Sequence, residues 1–544
     1  MHTFSRYWHT VRFLKPRQIY SRIFFKAFKP QVDLSPPPGL RTLDAGRWTL
    51  PPKRKSSMVS EDEFLFLNQT YKLTKTGWDN PKIPKLWRYN LHYFDDLNAE
   101  EAQQREQWHQ AIISDWIKAN PPGIGIGWEP YPVSLRIVNW IKWALAGNNL
   151  SQEAVHSLAI QTRWLANRLE FHLLGNHLIT NAKALIFSGL FFEGKEASIW
   201  LSKGIAILKR QLSDQILPDG GHCELSTMYQ AIVLGDILDL YNFLSACLLV
   251  SASLLSQLKS LASQMLTWLF AMSHPDGEIS FFNDAAKGIA STPVQIREYA
   301  QRLGINFIEN RDELIHLKDS GYIRIGDGDV AIFLDVAFVG PDYLPGHAHA
   351  DTLSFELSSN GSRVFVNSGT SCYESGPERL YQRGTAAHNT VLVNGENSSE
   401  VWDSFRVARR AKPFGLMVKR RGSTIDIKCA HDGYKRLPGK PIHWRQWQFV
   451  RHALIITDFI SGNFREAEVR FHLHPSVEIE SIDRDRGILS LAIEKTKMKM
   501  SVQEGAIDIH TGFWHPEFGR NEPNKCISVK FISSRVETTI YWNK

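Results

Sequence analysis

Gly346-His347-Ala348-His349-Ala350-Asp351, followed by the alternating stretch 352–367, marks the point where a helical pattern gives way to strands. Because side chains on extended backbone repeat every two residues, His347 and His349 are expected to point the same way. Such a pair can supply one metal ligand beside a proton-transfer group, or two ligands for one metal. A third histidine, His388, stands just before the next apolar alternation. The spacing alone leaves two interpretations open, a functional site and surface histidines in loops.

The composition is that of a folded protein with more than one domain. The chain has 544 residues, too many for one ordinary core, so two or three domains are expected. Hydrophobic residues make up 43% and charged residues 22%, which excludes a disordered chain. The 17 tryptophans suit a sugar-binding cleft or large helical cores, and core packing is the favoured use. The five scattered cysteines include no Cys-x-x-Cys pair and predict no disulfide framework.

The charge of the chain favours an anionic partner. The formal net charge of +7 suits an acidic polysaccharide, a membrane surface or nucleic acid. The sequence carries no nucleic-acid-binding signature, zinc finger or nucleotide-binding glycine loop, so nucleic acid is not expected as a partner.

The N-terminal arm, residues 1–40, is basic and aromatic, contains no Asp or Glu before Asp33, and ends in a stiff linker around Pro36-Pro37-Pro38. It has no uninterrupted apolar run and no small-residue cleavage site, so a standard signal peptide is not expected. The expected location is therefore the cytoplasm or the periphery of the inner membrane. Two placements of the arm stay open: on an anionic membrane surface, or docked on the protein's own body.

The rest of the chain divides into a helical domain, residues 41–315, and a β domain, residues 316–544. Helical periodicity predicts seven helices, at 102–119, 133–146, 152–173, 178–191, 199–215, 226–247 and 254–272. Short alternating segments predict strands at 322–325, 330–334, 354–357, 364–366, 390–393, 425–429, 444–450, 453–458, 469–474 and 527–532. Hairpin turns are expected at 326–329 and at Asn360-Gly361. An antiparallel sandwich is favoured over a barrel.

Two further motifs lie in the helical half. Leu174-Gly175-Asn176-His177-Leu178 opens a predicted helix, where Asn176 serves either as an N-cap or as a polar group of a site. The stretch 219–230, which contains Glu224 and Tyr229, leads into another helix; its simpler interpretation is a Ser226 cap with a packed tyrosine.

Taken together, Gly-Asn-His, Asp-Gly-Gly-x-x-Glu-x-Ser-x-x-Tyr, Gly-His-Ala-His-Ala-Asp and Ala-Ala-His-Asn-Thr resemble the heparinase II/III family of polysaccharide lyases over roughly residues 85–475. The resemblance implies an α+β multidomain fold: an incomplete α/α toroid followed by an antiparallel β-sandwich, with substrate in the cleft between them. It also implies β-elimination on uronic-acid polysaccharides such as heparan sulfate or alginate. The family would place such an enzyme in the periplasm or cell envelope.

β-Elimination at a uronate needs three kinds of group. The carboxylate must be neutralised, a base must remove the C5 proton, and an acid must protonate the leaving oxygen. By resemblance, Asn176 and His177 neutralise the carboxylate, Tyr229 is the acid and often also the base, and His347 is the base or its support. The predicted substrate-contacting residues are Glu224, Tyr381 and Arg383.

The resemblance also implies one structural zinc, which the elimination does not require. The positions that match the family's ligands are His349, Asn367 and His388. Asn367 departs from the family pattern, because an amide stands where a carboxylate is expected and an amide oxygen is a poorer zinc ligand. Asp351 is the residue that can compensate.

Two other functions compete with the lyase. A non-cleaving or biosynthesis-linked relative would bind acidic glycan at the membrane face, which suits the missing signal peptide but leaves Tyr229 without a purpose. A metal-dependent hydrolase would hold an activated water on His347, His349 and His388, and would need Asp351 as its carboxylate.

Overall fold

The computed structural model describes residues 2–42, 45–247, 249–327, 330–494 and 496–542. Helices dominate up to residue 302 and antiparallel strands dominate from residue 314 onward. The predicted α+β, multidomain class is therefore confirmed. Among the described residues, no helix is both long and apolar enough to cross a membrane.

The described helices occur in chain order, and each of the seven predicted ones is present with shifted ends. Residues 167–173, predicted as the end of a helix, lie beyond α7. The helices are α1 (His2–Val11), α2 (Pro16–Ala27), α3 (Leu73–Thr76), α4 (Lys85–Tyr93), α5 (Glu106–Ala119), α6 (Pro130–Leu145), α7 (Gln152–Ala166), α8 (Gly175–Phe191), α9 (Lys195–Gln215), α10 (Thr227–Cys247), α11 (Ala252–Ala271), α12 (Pro293–Arg302) and α13 (Pro377–Arg383).

Tryptophan packing holds the helical half together. The ring of Trp116 lies edge-on to Trp140 with centroids 6.0 Å apart, and it also contacts Trp128. The guanidinium of Arg136 lies 3.7 Å from the Trp116 ring centroid and is fully buried. These tryptophans therefore serve the core, as composition favoured.

The described strands pair antiparallel throughout. They are β1 (Glu63–Phe66), β2 (Gln69–Lys72), β3 (Leu314–Leu317), β4 (Tyr322–Asp327), β5 (Val330–Asp335), β6 (Phe355–Ser359), β7 (Ser362–Phe365), β8 (Val391–Val393), β9 (Val401–Trp402), β10 (Arg406–Val407), β11 (Pro413–Arg421), β12 (Thr424–His431), β13 (Ile442–Val450), β14 (Ala453–Ser461), β15 (Ala467–His472), β16 (Glu478–Asp483), β17 (Ile488–Ile493), β18 (Thr496–Gln503), β19 (Gly505–Trp514), β20 (Glu522–Phe531) and β21 (Arg535–Trp542).

Three larger sheets and the two-stranded sheet β9-β10 build the described β half. The larger sheets run β3-β4-β5-β6-β7, β11-β12-β13-β14-β21-β18-β17-β16 and β19-β20-β15-β8. Ile332, Trp447 and Ile527, one from each larger sheet, share a single buried apolar core. The Asn360-Gly361 turn is confirmed between β6 and β7, with φ of +50° and +81° as a two-residue hairpin requires. The predicted turn at 326–329 joins the paired strands β4 and β5, but residues 328 and 329 lie outside the described residues.

The segment around Asn283 and Asp284 ties the two halves together. The Asn283 side chain donates to the carbonyl of Leu225 at 2.8 Å and accepts the backbone N–H of His349 at 3.0 Å. Since Leu225 precedes α10 and His349 belongs to the β half, this amide fixes the two motifs next to each other.

Candidate active site

A cleft of about 1440 Å³ lies between the helical half, the N-terminal arm and the β half. Five of the predicted site residues line it, although they come from three separate parts of the sequence. They are Asn176, His177, Glu224, Tyr229 and His347.

The start of α8 presents Asn176 and His177 to the cleft. Leu174 and Gly175 both have left-handed backbone, with φ of +65° and +58°. A Cβ at Gly175 would lie 2.7 Å from Glu224 Oε1, so glycine is needed for the close approach. Leu174, not Asn176, is the N-cap residue, so the simpler interpretation of Asn176 as a cap is wrong. Its amide is instead free to serve the cleft.

His177 is held by a carboxylate. Its Nδ1 lies 3.1 Å from Glu170 Oε1, and Asn181 donates to the other oxygen of Glu170 at 3.0 Å. Burial alone would lower the pKa of His177, but the Glu170 carboxylate outweighs burial and raises the pKa above its ordinary value. A cation is therefore favoured at the start of α8, on the wall of the cleft.

Tyr229 and His347 form a stacked pair. Their ring centroids lie 4.0 Å apart and their planes are inclined by 30°. The Ser226 hydroxyl accepts the backbone N–H of Tyr229 at 3.2 Å, so the predicted serine cap is confirmed and coexists with the site. Burial, reinforced by Tyr373, raises the pKa of the Tyr229 phenol well above its ordinary value, which keeps it protonated.

Asp284 orients both histidines of the His-Ala-His pair. His347 Nδ1 lies 2.8 Å from Asp284 Oδ2, and His349 Nε2 lies 2.8 Å from Oδ1. The buried guanidinium of Arg379 donates to Oδ2 at 2.7 Å. Burial would raise the pKa of Asp284, but Arg379 and the two histidines hold it well below the ordinary value. The ionised carboxylate therefore directs His347 Nε2 toward the cleft, 3.6 Å from Glu224 Oε2.

The sequence did not indicate three candidate functional residues: Asp284, Tyr373 and Arg379. The Tyr373 hydroxyl lies 3.1 Å from that of Tyr229, and the Arg379 guanidinium lies 4.9 Å from the Tyr373 ring centroid. Each stands in a stretch without a recognisable motif. The one sequence signal for Asp284 was its position directly after Phe-Phe-Asn.

The three predicted zinc ligands are buried and lie next to one another. His349 Nδ1 and His388 Nε2 face each other at 3.3 Å, a separation that two ligands of one zinc ion can adopt. However, Asn367 Oδ1 lies against the opposite nitrogen of His388, at 3.2 Å from Nδ1. Asp351 accepts the backbone N–H of Asn283 at 3.2 Å. No group of three His, Cys, Asp or Glu side chains among the described residues could hold a metal ion.

The placement of Tyr381 and Arg383 argues against the predicted substrate contacts. Arg383 is fully buried and donates to the backbone carbonyl of Ala348 at 2.9 Å. Tyr381 is partly exposed on α13, and neither residue belongs to the described lining of the cleft. Their position close to His388 in sequence suggested a shared site, but α13 turns the guanidinium of Arg383 into the protein interior.

Comparisons with known proteins identify relatives for both halves of the chain. The model of the heparinase II/III N-terminus matches residues 72–310, and that of the heparinase II/III-like C-terminal region matches residues 309–543. A heparin-sulfate lyase of Bacteroides stercoris is 25% identical over 380 residues, covering 65% of this chain and 52% of the relative. One of Pedobacter heparinus is 24% identical over 340 residues, covering 55% and 49%. The chain thus spans about half the length of these curated relatives.

Solved structures share the fold. The crystal structure of a heparinase III superposes with a TM-score of 0.68 at 16% identity, covering 98% of this chain and 93% of that chain. A heparan sulfate lyase from Pedobacter heparinus superposes with a TM-score of 0.59 at 16% identity, covering 97% and 88%.

Proposed function

Since the chain belongs to the heparinase II/III family, we propose that it is a polysaccharide lyase that cleaves a uronic-acid-containing acidic polysaccharide by β-elimination. The observation that carries the proposal is the stacked pair of Tyr229 and His347, with Asn176 and His177 on the same cleft. A proton donor, a base and carboxylate-binding groups thus surround one space.

Asn176 and His177 receive the uronate carboxylate. The raised pKa of His177 favours its cationic form, which pairs with the carboxylate, and the amide of Asn176 donates a hydrogen bond. Neutralising the carboxylate lets negative charge spread into it as the C5 proton leaves.

His347 removes the C5 proton. Asp284 occupies Nδ1, so Nε2 is the nitrogen directed at substrate and carries the lone pair that accepts the proton. The electrons of the C5–H bond form the C4–C5 double bond, and the C4–O bond to the leaving sugar breaks.

Tyr229 completes the reaction by protonating the leaving oxygen. Its raised pKa keeps the phenol protonated until negative charge develops on that oxygen. Tyr373 supports it through the contact between the two hydroxyl oxygens. Glu224 lies close to His347 and to the backbone of Asn176, and it fixes the positions of these groups relative to each other.

Three structural expectations accompany the proposal. The helices of residues 41–315 form an incomplete α/α toroid, residues 316–544 form a β-sandwich, and substrate lies in the cleft between them. Pairwise packing of α8 on α9 and of α10 on α11 supports the toroid.

The test is the ultraviolet absorbance of the new double bond during incubation with a panel of acidic polysaccharides. The panel contains heparan sulfate, hyaluronan, alginate and bacterial capsule polymers. We expect absorbance to rise on at least one polymer and Tyr229→Phe to lower the rate by about 10²- to 10⁴-fold. Tyr381→Phe is the matched control, since Tyr381 does not belong to the described cleft lining. Binding without any rise would replace the lyase by the non-cleaving glycan-binding relative.

A further inference from the structure

The N-terminal arm is docked on the body of the protein by one side of its two helices. Gln18 on α2 donates to the carbonyl of Tyr343 at 3.1 Å, and Trp402 donates to the Thr10 hydroxyl on α1 at 3.1 Å. Arg168 donates to the carbonyl of Phe25 at 2.8 Å. Docking on the protein's own body, one of the two placements left open by the sequence, is therefore observed, but it accounts for one side of the arm only.

The other side of the arm exposes large apolar side chains to solvent. Phe4 is 81% exposed, Ile23 64% and Phe24 57%. On α2 the exposed residues recur at i, i+4 and i+5, which defines one continuous face. The apolar face of the arm is defined here as the exposed large apolar residues of α1 and α2 that do not line the cleft, together with Phe28: Phe4, Trp8, Ile19, Tyr20, Ile23, Phe24 and Phe28.

Exposed bases alternate along the sequence of the arm with the residues of this face. They are Arg6, Arg12, Lys15, Arg22, Lys26 and Lys29. The first acidic residue of the chain is Asp33, so no carboxylate of α1 or α2 offsets this charge. An apolar face rimmed by Lys and Arg is the pattern of helices that lie in the interface of an anionic membrane.

The arm also borders the cleft. Tyr7 and Val11 of α1 and Gln18 and Arg22 of α2 line it, on the sides of the helices next to the apolar face. Any surface that binds the apolar face therefore lies next to the opening of the cleft.

We propose that the apolar face of the arm is a membrane-binding surface for anionic phospholipid. The aromatic and aliphatic side chains enter the boundary between headgroups and acyl chains, and the surrounding bases pair with the lipid phosphates. A second copy of the chain is a poorer occupant, because it would bring the same positive rim against this one.

The test is co-sedimentation of the full chain with lipid vesicles. Vesicles of phosphatidylcholine mixed with phosphatidylglycerol are compared with vesicles of phosphatidylcholine alone. We expect binding to the anionic vesicles, and we expect the double variant Ile23→Ser, Phe24→Ser to weaken it by at least about tenfold. The matched control is Phe338→Ser, Ile532→Ser, which removes two equally exposed apolar residues outside the arm. Lys26→Glu, Lys29→Glu should also weaken binding.

Three results would overturn the proposal. One is no sedimentation with either kind of vesicle at low salt. Another is anionic-vesicle binding that the Ile23→Ser, Phe24→Ser variant leaves unchanged. The third is a dimer in light scattering that this variant converts to monomer while vesicles capture neither form, which would make a second copy the occupant.

Discussion

The imidazole of His347 lies flat against the phenol ring of Tyr229, with ring centroids 4.0 Å apart, while Asp284 holds the imidazole from the far side at 2.8 Å. Under the proposed mechanism, this stack brings the base and the acid together on the wall of one cleft of about 1440 Å³. It also fixes the ring of His347 without using Nε2. Since Tyr229 opens α10 and His347 comes from the β half, the pair exists only when the two halves are joined.

Replacing Asp284 by asparagine should destabilise the protein as well as inactivate it. The buried Arg379 would lose its counter-charge, which costs about 3–5 kcal/mol. Thermal unfolding measures this loss, with the exposed Asp485→Asn as the control. Because the folded pKa of Asp284 lies below the ordinary value of 3.8, its contribution is complete above that pH and is lost as pH falls. An unchanged Tm would contradict the assignment.

Glu170 should set the pH range of substrate binding through His177. Because Glu170 raises the pKa of His177, the imidazolium is present at low pH and is lost as pH rises through the raised value. We therefore expect KM to rise with pH, and Glu170→Gln to move this rise to lower pH while kcat at acidic pH is nearly kept. Steady-state kinetics against pH provide the measurement, with Glu480→Gln, outside the described cleft lining, as the control. Coincident KM profiles for Glu170→Gln and the unmutated chain would remove His177 from carboxylate binding.

Substitution of Tyr373 should lower kcat far less than substitution of Tyr229. Tyr373→Phe removes one neutral hydrogen-bond partner of the Tyr229 hydroxyl, worth about 0.5–1.5 kcal/mol, or roughly a 2- to 10-fold loss of kcat. The comparison is kcat for Tyr373→Phe and Tyr229→Phe on the same polymer. If Tyr373→Phe proved as damaging as Tyr229→Phe, the acid would have to be reassigned.

The amide of Asn367 should keep zinc occupancy low. His349 and His388 offer two nitrogens, and the third position lacks a carboxylate. We expect elemental analysis of dialysed protein to find well below one zinc per chain, and a chelator to leave Tm unchanged. Asn367→Asp should raise the zinc content. One tightly held zinc in the unmutated chain would show that two histidines and an amide suffice.

Sequence patterns recovered the long helices and the Asn-Gly turn. The predicted α10 is present because its apolar residues recur with helical spacing, and the Asn360-Gly361 turn follows from the φ values that this pair tolerates. Strand β18 is an exception: its lysines alternate with buried residues, as in a half-buried strand, and the prediction still missed it.

The sequence predicted the candidate site residues that lie in recognisable motifs. It missed those that only the tertiary structure brings together. Asn176, Glu224, Tyr229 and His347 lie in recognisable motifs and meet in one cleft. Asp284 does not, because its significance comes from three partners, His347, His349 and Arg379, that are remote in sequence. Arg383 was predicted as a substrate contact from its position near His388 in the sequence, and the structure places it in the interior, where it donates to the carbonyl of Ala348.

The central claim is elimination, and the most direct measurement is mass spectrometry of the products formed in water enriched in heavy oxygen. Elimination breaks the C4–O bond without adding water, so the account predicts an unsaturated uronate at the new non-reducing end. At times short compared with oxygen exchange at the new reducing end, neither product should contain heavy oxygen. Heavy oxygen at the cleavage point, with no unsaturated sugar, would contradict the account and favour the hydrolase.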